Sequence, residues 1–213
     1  MKVDALEIRN KCAGILLAAG RSQRMGPVNK LLAQVAGKPL VRHAAEVLDA
    51  SSLSRVIVVI GYEADKVAAA LEGLPLQMVF NPDYASGQGS SVGAGIAALD
   101  DDISDVLIGL GDMPLLPITL LNMLIAAHLD NEGHKHRITL PKIDGKRGNP
   151  VLWGKAFFSE LSALRGDSGG RQLLDDNVIA QNSISCDHPE ILRDVDTIDA
   201  LAAINSELAA KRT

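Results

Sequence analysis

Short runs of continuous apolar residues alternate along this chain with longer stretches of helical period. The runs AGILLA (13–18), RVIVVI (55–60), LQMVF (76–80), DVLIGL (105–110) and RITLP (137–141) predict strands. RVIVVI is the clearest of them, because β-branched side chains suit a pleated, buried surface. Between the strands, 39–50 predicts a helix. In 63–72 Ala64, Val67, Ala68 and Leu71 fall on one helical face. Ser90 or Ser91 is the expected cap of a helix through Leu99. A further helix follows Pro117, so the uncharged stretch from Met113 to Leu129 reads as a turn and a buried helix. At 17 residues, broken by Pro114 and Pro117, it is too short for the roughly 20 residues of a membrane span.

Strands that are apolar throughout, each followed by a helix, predict a mostly parallel sheet covered on both faces. After about residue 145 the pattern loosens. NPVLW (149–153) predicts an added antiparallel strand, followed by two short helices and a strand at 178–184. A last helix begins near Thr197 with Ile198, Leu201 and Leu208 on its inner face. The expected architecture is a Rossmann-like three-layer α/β sandwich, forming one domain over residues 1–213 with its core at 13–205.

Composition sharpens this picture in two ways. Apolar residues make up 47% of the 213 positions but aromatics only 3%, so the core must be built from aliphatic side chains. The net charge of −5 argues against a polynucleotide partner. It leaves room for a small anion held by a few local cations. Cys12 and Cys186 are far apart and read as reduced thiols of a cytoplasmic protein, and the charged N-terminus lacks a signal-peptide core. The five histidines lack metal-ligand spacing and read as surface or core residues.

Several stretches carry candidate chemistry. In LAAGRSQRMGPVNK (17–30), small residues at the end of a strand let backbone N–H groups approach a ligand, and Arg21, Arg24 and Lys30 add positive charge. That combination suits a polyphosphate. The plainer reading is a solvated loop. In GLGDMP (109–114) a lone carboxylate, Asp112, follows a strand, where it either binds Mg²⁺ or caps a turn. In RDVDT (193–197) Asp194 and Asp196 point the same way if the segment is extended, and alternatively Asp196 or Thr197 simply starts the last helix. GQGSSVGAG (87–95) places small residues and hydroxyls before a helix. KRGNP (146–150) and RGDSGGR (165–171) either bracket a second, anionic substrate or are two turns.

Taken together these motifs resemble nucleotidyltransferases that activate sugars, alcohols and cofactors with a nucleoside triphosphate. More closely, RMGPVNKLL, NPDYASGQGSSVGAGIAAL, RGNPVLWG and GDSGGRQLL resemble the molybdenum-cofactor cytidylyltransferases, over about residues 13–205. The resemblance implies transfer of CMP from CTP to the terminal phosphate of the molybdopterin cofactor. The products would be the cytosine dinucleotide cofactor and pyrophosphate.

By position, Leu17, Ala18, Ala19, Gly20 and Ser91 would hold the nucleotide, and Arg24 and Lys30 its phosphates. Asp112 and Asp196 would bind Mg²⁺, or Mn²⁺ in its place. Asn149, Asp167 and Arg171 would face the pterin. Arg24, Lys30 and Asp112 would be the catalytic set. A molybdenum hydroxylase would receive the product. The alternatives are a related transferase using GTP or another phosphorylated acceptor, and a non-catalytic protein that delivers finished cofactor. Asn149 stands where many relatives have His, and Pro27-Val28 lengthens the first loop by one residue.

Overall fold

The computed structural model describes residues 11–22, 29–167 and 169–210. The chain enters the sheet with β1 (Cys12–Ala18) and, after a turn of 3-10 helix at Lys30–Leu32, forms a small hairpin of β2 (Gln34–Val35) and β3 (Lys38–Pro39). It then alternates through α1 (Leu40–Asp49), β4 (Val56–Ile60), α2 (Ala64–Ala70), β5 (Gln77–Phe80), α3 (Gln88–Ala97), β6 (Asp105–Leu110) and α4 (Ile118–Leu129). The later part comprises β7 (Ile138–Ile143), β8 (Lys146–Arg147), β9 (Val151–Gly154), α5 (Phe158–Ala163), α6 (Arg171–Asp176), β10 (Gln181–Ser185) and α7 (Ile198–Ala210).

The main sheet has eight strands in the order β10-β7-β9-β6-β1-β4-β5, with β8 paired to β7. β4 and β6 flank β1 in parallel, and β5 joins β4 in parallel. β9 runs antiparallel between β6 and β7. The predicted mixed architecture is therefore present. From β1 the chain winds out through β4 to β5, then returns to lay β6 on the other side of β1. That reversal opens a crevice at the carboxyl ends of β1 and β6, where open α/β sheets hold their ligands.

Period-two alternation splits the central strands between two cores. Ile15, Ile57, Val59, Val106 and Ile108 face α3 and α5, meeting Val92, Ile96 and Leu161. Leu16, Val58 and Leu107 face the other way, onto Val41, Ala44 and Leu48 of α1 and Leu120, Leu121 and Leu124 of α4. α3 can lie this close because Gly95 has no side chain. A Cβ there would sit 2.7 Å from Ile15 Cγ2 and 3.2 Å from Val59 Cγ2. Gly95→Val should lower stability by about 1–3 kcal/mol, the usual cost of overpacking a filled core. Chemical denaturation of the variant checks this, through a lower midpoint at unchanged slope.

Local departures from the expected elements have physical causes. The β2–β3 hairpin turns on Ala36 (φ 46°) and Gly37 (φ 78°), a two-residue loop with both residues left-handed. The amide of Ala36 donates to Asn205 Oδ1 of α7 (2.7 Å), and Val35 and Leu40 pack with Val195 and Ile204. Residues 178–180 form a 3-10 turn, so the strand expected at 178–184 starts at Gln181. α3 begins at Gln88 with no side-chain cap. Ser90 and Ser91, expected as caps, lie inside the helix, and Ser90 Oγ donates back to the carbonyls of Asp83 and Gly87. In α7, Leu201 and Leu208 face inward as expected. Ile198 is exposed instead, and Ile204 takes the buried place. No helix among the described residues is long and apolar enough to cross a membrane.

Candidate active site

The crevice beside β1 and β6 is a cavity of about 490 Å³. Its floor comes from Leu17 of β1 and from Ala19 and Gly20 just beyond the strand, and Leu110 of β6 completes it. Ala18 does not line it, because the alternation of β1 sends its side chain into the aliphatic core. Tyr84, Gly87, Gln88 and Ser91 form one wall. Ser91 is buried and its hydroxyl accepts from Asn81 Nδ2 (3.0 Å), which fixes where it points. Arg24 lies outside the described residues.

The opposite wall carries the charges. Asn29 caps the turn at 30–32: its Oδ1 accepts from the Leu31 amide, and the Lys30 amide donates to Ser22 Oγ. This turn aims Lys30 across the crevice, where Nζ sits 2.6 Å from Asp112 Oδ2 and 2.6 Å from Asp196 Oδ1. Asp112 follows β6 directly. The segment bearing Asp194 and Asp196 is held to it by a hydrogen bond from the Val195 amide to the Asp112 carbonyl (3.0 Å). With Val195 buried, its two aspartate neighbours turn back toward the crevice. Carboxylate oxygens of Asp112, Asp194 and Asp196 all come within 4.8 Å of one another. The structure thus brings both members of RDVDT to Asp112.

Among the described residues, the three carboxylates of this cluster meet one ammonium, that of Lys30. Burial pushes the Asp112 carboxyl above the usual carboxylate range, against the pull of Lys30, and Asp194 adds to the push. Burial would lower Lys30, but Asp112 and Asp196 outweigh it and hold the ammonium above its ordinary value. Asp112 Oδ1 is buried with no hydrogen-bond partner among the described residues. An all-oxygen donor set with an unused buried lone pair fits a hard divalent cation such as Mg²⁺ or Mn²⁺.

A second cavity of about 590 Å³ adjoins the first and shares Leu17, Gln88 and Leu110 with it. Asn149 and Arg171 line this second space together with Lys146, Arg147 and Trp153. Asp167, grouped with Asn149 and Arg171 by resemblance, lines the first cavity instead. It is carried there by the loop at 165–167, which is clasped to the start of α3. The Gly89 amide donates to the Gly166 carbonyl (2.9 Å), and a Cβ on Gly87 would fall 2.3 Å from Gly166 C. Gln88, Tyr84 and Trp153 were not singled out by sequence. Gln88 lies inside the motif GQGSSVGAG, which was the available signal.

A strand-end backbone cradle, an acid cluster and an adjoining basic cavity define a nucleotide-handling α/β protein of the phosphate-transfer kind. Residues 14–184 match the MobA-like NTP transferase domain, and the chain belongs to that family. It is thus a nucleotidyltransferase by family. It is 31% identical over 193 residues to nicotine blue oxidoreductase of Paenarthrobacter nicotinovorans, covering 88% of this chain and 93% of that protein. It is 35% identical over 151 residues to the bifunctional protein GlmU of Sphingopyxis alaskensis. That match covers 70% of this chain but only 32% of GlmU, so the chain spans about a third of that relative. Among solved structures, a Mycobacterium tuberculosis Rv0371c complex with manganese superposes with a TM-score of 0.77 at 23% identity, covering 92% of this chain and 98% of that one.

Proposed function

We propose that this chain transfers a cytidylyl group from CTP to the terminal phosphate of the molybdopterin cofactor, releasing pyrophosphate. The observation that carries the reading is the pair of adjoining cavities, one ending in an acid cluster bridged by Lys30, the other lined by cations. The first would hold the triphosphate nucleotide, with Leu17, Ala19, Gly20 and Ser91 at its base and sugar. Ala18 would contribute through its backbone. The second would hold the acceptor. Lys146, Arg147 and Arg171 offer charge to its phosphate, and Asn149 and the Trp153 indole offer an amide and a flat face to its heterocycle.

The acceptor phosphate would attack the α-phosphorus in line while pyrophosphate leaves toward the cluster. The chain's own work is to position two anions that repel each other and to offset charge on the leaving oxygens. Lys30 and Arg24 would do the latter, and Asp167 would order the wall between the cavities. Asp112 and Asp196, with Asp194 beside them, would hold Mg²⁺ or Mn²⁺, and the Rv0371c complex with manganese supports that choice. When bound, the ion supplies charge stabilisation to the phosphate oxygens.

Pyrophosphate release tests the proposal, with CTP, GTP and ATP offered separately and molybdopterin cofactor present or absent. Release from CTP that requires the acceptor is the expected result. Preference for GTP would move the chain to a neighbouring branch, and no release with any nucleotide would leave cofactor delivery to a molybdenum hydroxylase or a redox role. Electron transfer is the second reading, favoured by the name of the Paenarthrobacter relative. A change in the redox state of nicotine blue that requires the protein, with no pyrophosphate release, would select it.

A further inference from the structure

β6 carries a second polar group at its other end, and the proposed transferase makes no use of it. Asp105, the first residue of the strand, is fully buried. Its Oδ1 lies 3.0 Å from Nε2 of the equally buried His128, in the last turn of α4, and 2.9 Å from Nδ1 of His134. Oδ2 accepts from Ser104 Oγ (2.6 Å). Among the described residues, the Asp105 carboxylate is hydrogen-bonded to Ser104, His128 and His134, and to no lysine or arginine. Burial works against its charge, yet the hydrogen bonds from His128, Ser104 and His134 keep the carboxyl below its ordinary range, so it stays ionised.

We infer that Asp105, His128 and His134 form a binding site for a divalent transition ion of the zinc class. Two imidazoles and one carboxylate are a donor set such ions favour over Mg²⁺ or Ca²⁺. The three ligand atoms already lie within 4.8 Å of one another. Tetrahedral coordination with bonds of about 2.0 Å sets ligand atoms about 3.3 Å apart. The two carboxylate-to-imidazole spacings, 3.0 and 2.9 Å, need to open by only a few tenths of an ångström. His134 is one-quarter exposed, so it can make that shift and gives the ion a path from solvent.

The surroundings are built to support the ligands. His128 Nδ1 is 2.8 Å from Thr139 Oγ1, so with Nε2 on the ion the Nδ1–H donates to that hydroxyl, the kind of contact that orients a metal-bound imidazole. The loop bearing His134 is seated against Gly154, where a Cβ would meet the His134 carbonyl oxygen at 2.4 Å. Ion binding would place each neutral imidazole's single proton on its other ring nitrogen, Nδ1 of His128 and Nε2 of His134, with no net proton release and no redox change. It would tie the start of β6 to the end of α4 and to the 133–136 loop, at the opposite end of the strand from Asp112.

The test uses the full chain stripped with a chelator, titrated with Zn²⁺ by calorimetry, and separately with Co²⁺ by visible absorption. Wild type should bind zinc and show intense cobalt ligand-field bands. His134→Ala should lose those bands and weaken this zinc event by a hundredfold or so, and Thr139→Val by about tenfold. Asp196→Asn should keep both signals, which separates this site from the acid cluster and from the transferase reading. Zinc bound as tightly by His134→Ala, or a cobalt spectrum in wild type no different from the free aqueous ion, would overturn the inference.

Discussion

Asp112→Asn should lower acceptor-dependent pyrophosphate release by about a hundredfold or more, the usual cost of losing one charge-stabilising contact in a transfer site. Its melting temperature should stay level or rise. The two halves of this expectation come from one fact. Asp112 is a largely buried carboxylate beside Asp194 and Asp196, with Oδ1 unpartnered among the described residues and Lys30 paired to Oδ2. Burial and Asp194 both oppose its ionised form. An amide of the same shape relieves that repulsion and still accepts from Lys30. Activity and folding therefore pull in opposite directions at this position, as they do where a site stores unfavourable charge. Steady-state kinetics beside a thermal melt decides it, and a clear loss of stability with near-normal turnover would count against the assignment.

Lys30→Met should do the reverse to stability. It removes the ammonium that bridges Asp112 and Asp196. Breaking a fully buried ion pair costs about 3–5 kcal/mol. These side chains keep some solvent contact, so about 2–3 kcal/mol is expected, or roughly 5–10 °C in melting temperature for a chain of this size. Turnover should fall a hundredfold or more. Millimolar Mg²⁺ or Mn²⁺ should restore most of the lost stability without restoring turnover, because a bound cation can replace the ammonium electrostatically but not at the phosphates. Melts with and without metal check this. A variant that is as stable as wild type in chelator would show that the ammonium does not balance the cluster.

The strands at the centre were legible because each is apolar over its full length: 105–110 coincides with β6, and β1 and β4 differ from their expected bounds by one residue at the N-terminal end. Asp112 was legible as a residue just past a strand end, whereas Lys30 and Asp196 were grouped with it by resemblance and reach it through the 29–32 turn and the 193–197 segment. Two kinds of feature were not legible. The β2–β3 hairpin has two residues per strand and turns on Ala36-Gly37, where the usual Asn-Gly signal is absent. The Asp105–His128–His134 group joins residues 23 and 29 positions apart, across a helix and two turns, so no spacing rule marks it. The placement of Asp167 in a different cavity from Asn149 and Arg171 was not legible either. The Gly87–Gly166 clasp, which carries Asp167 to the other cavity, depends on a close approach of two backbones.

The reversed direction of β9 has a consequence for how this scaffold can diversify. In its parallel neighbours the rim above the crevice is reached where a strand ends. In β9 it is reached where the strand begins, so the tight turn at 144–145 and the residues through 150 overhang that rim, while Gly154 at the far end is pinned beneath the 133–136 loop. Gly148 must stay small against Ile191, but side chains elsewhere in that overhang can change without disturbing β1 or β6. A library confined to 145–147 and 149 should therefore shift which acceptor is taken while the preference among nucleotides stays put.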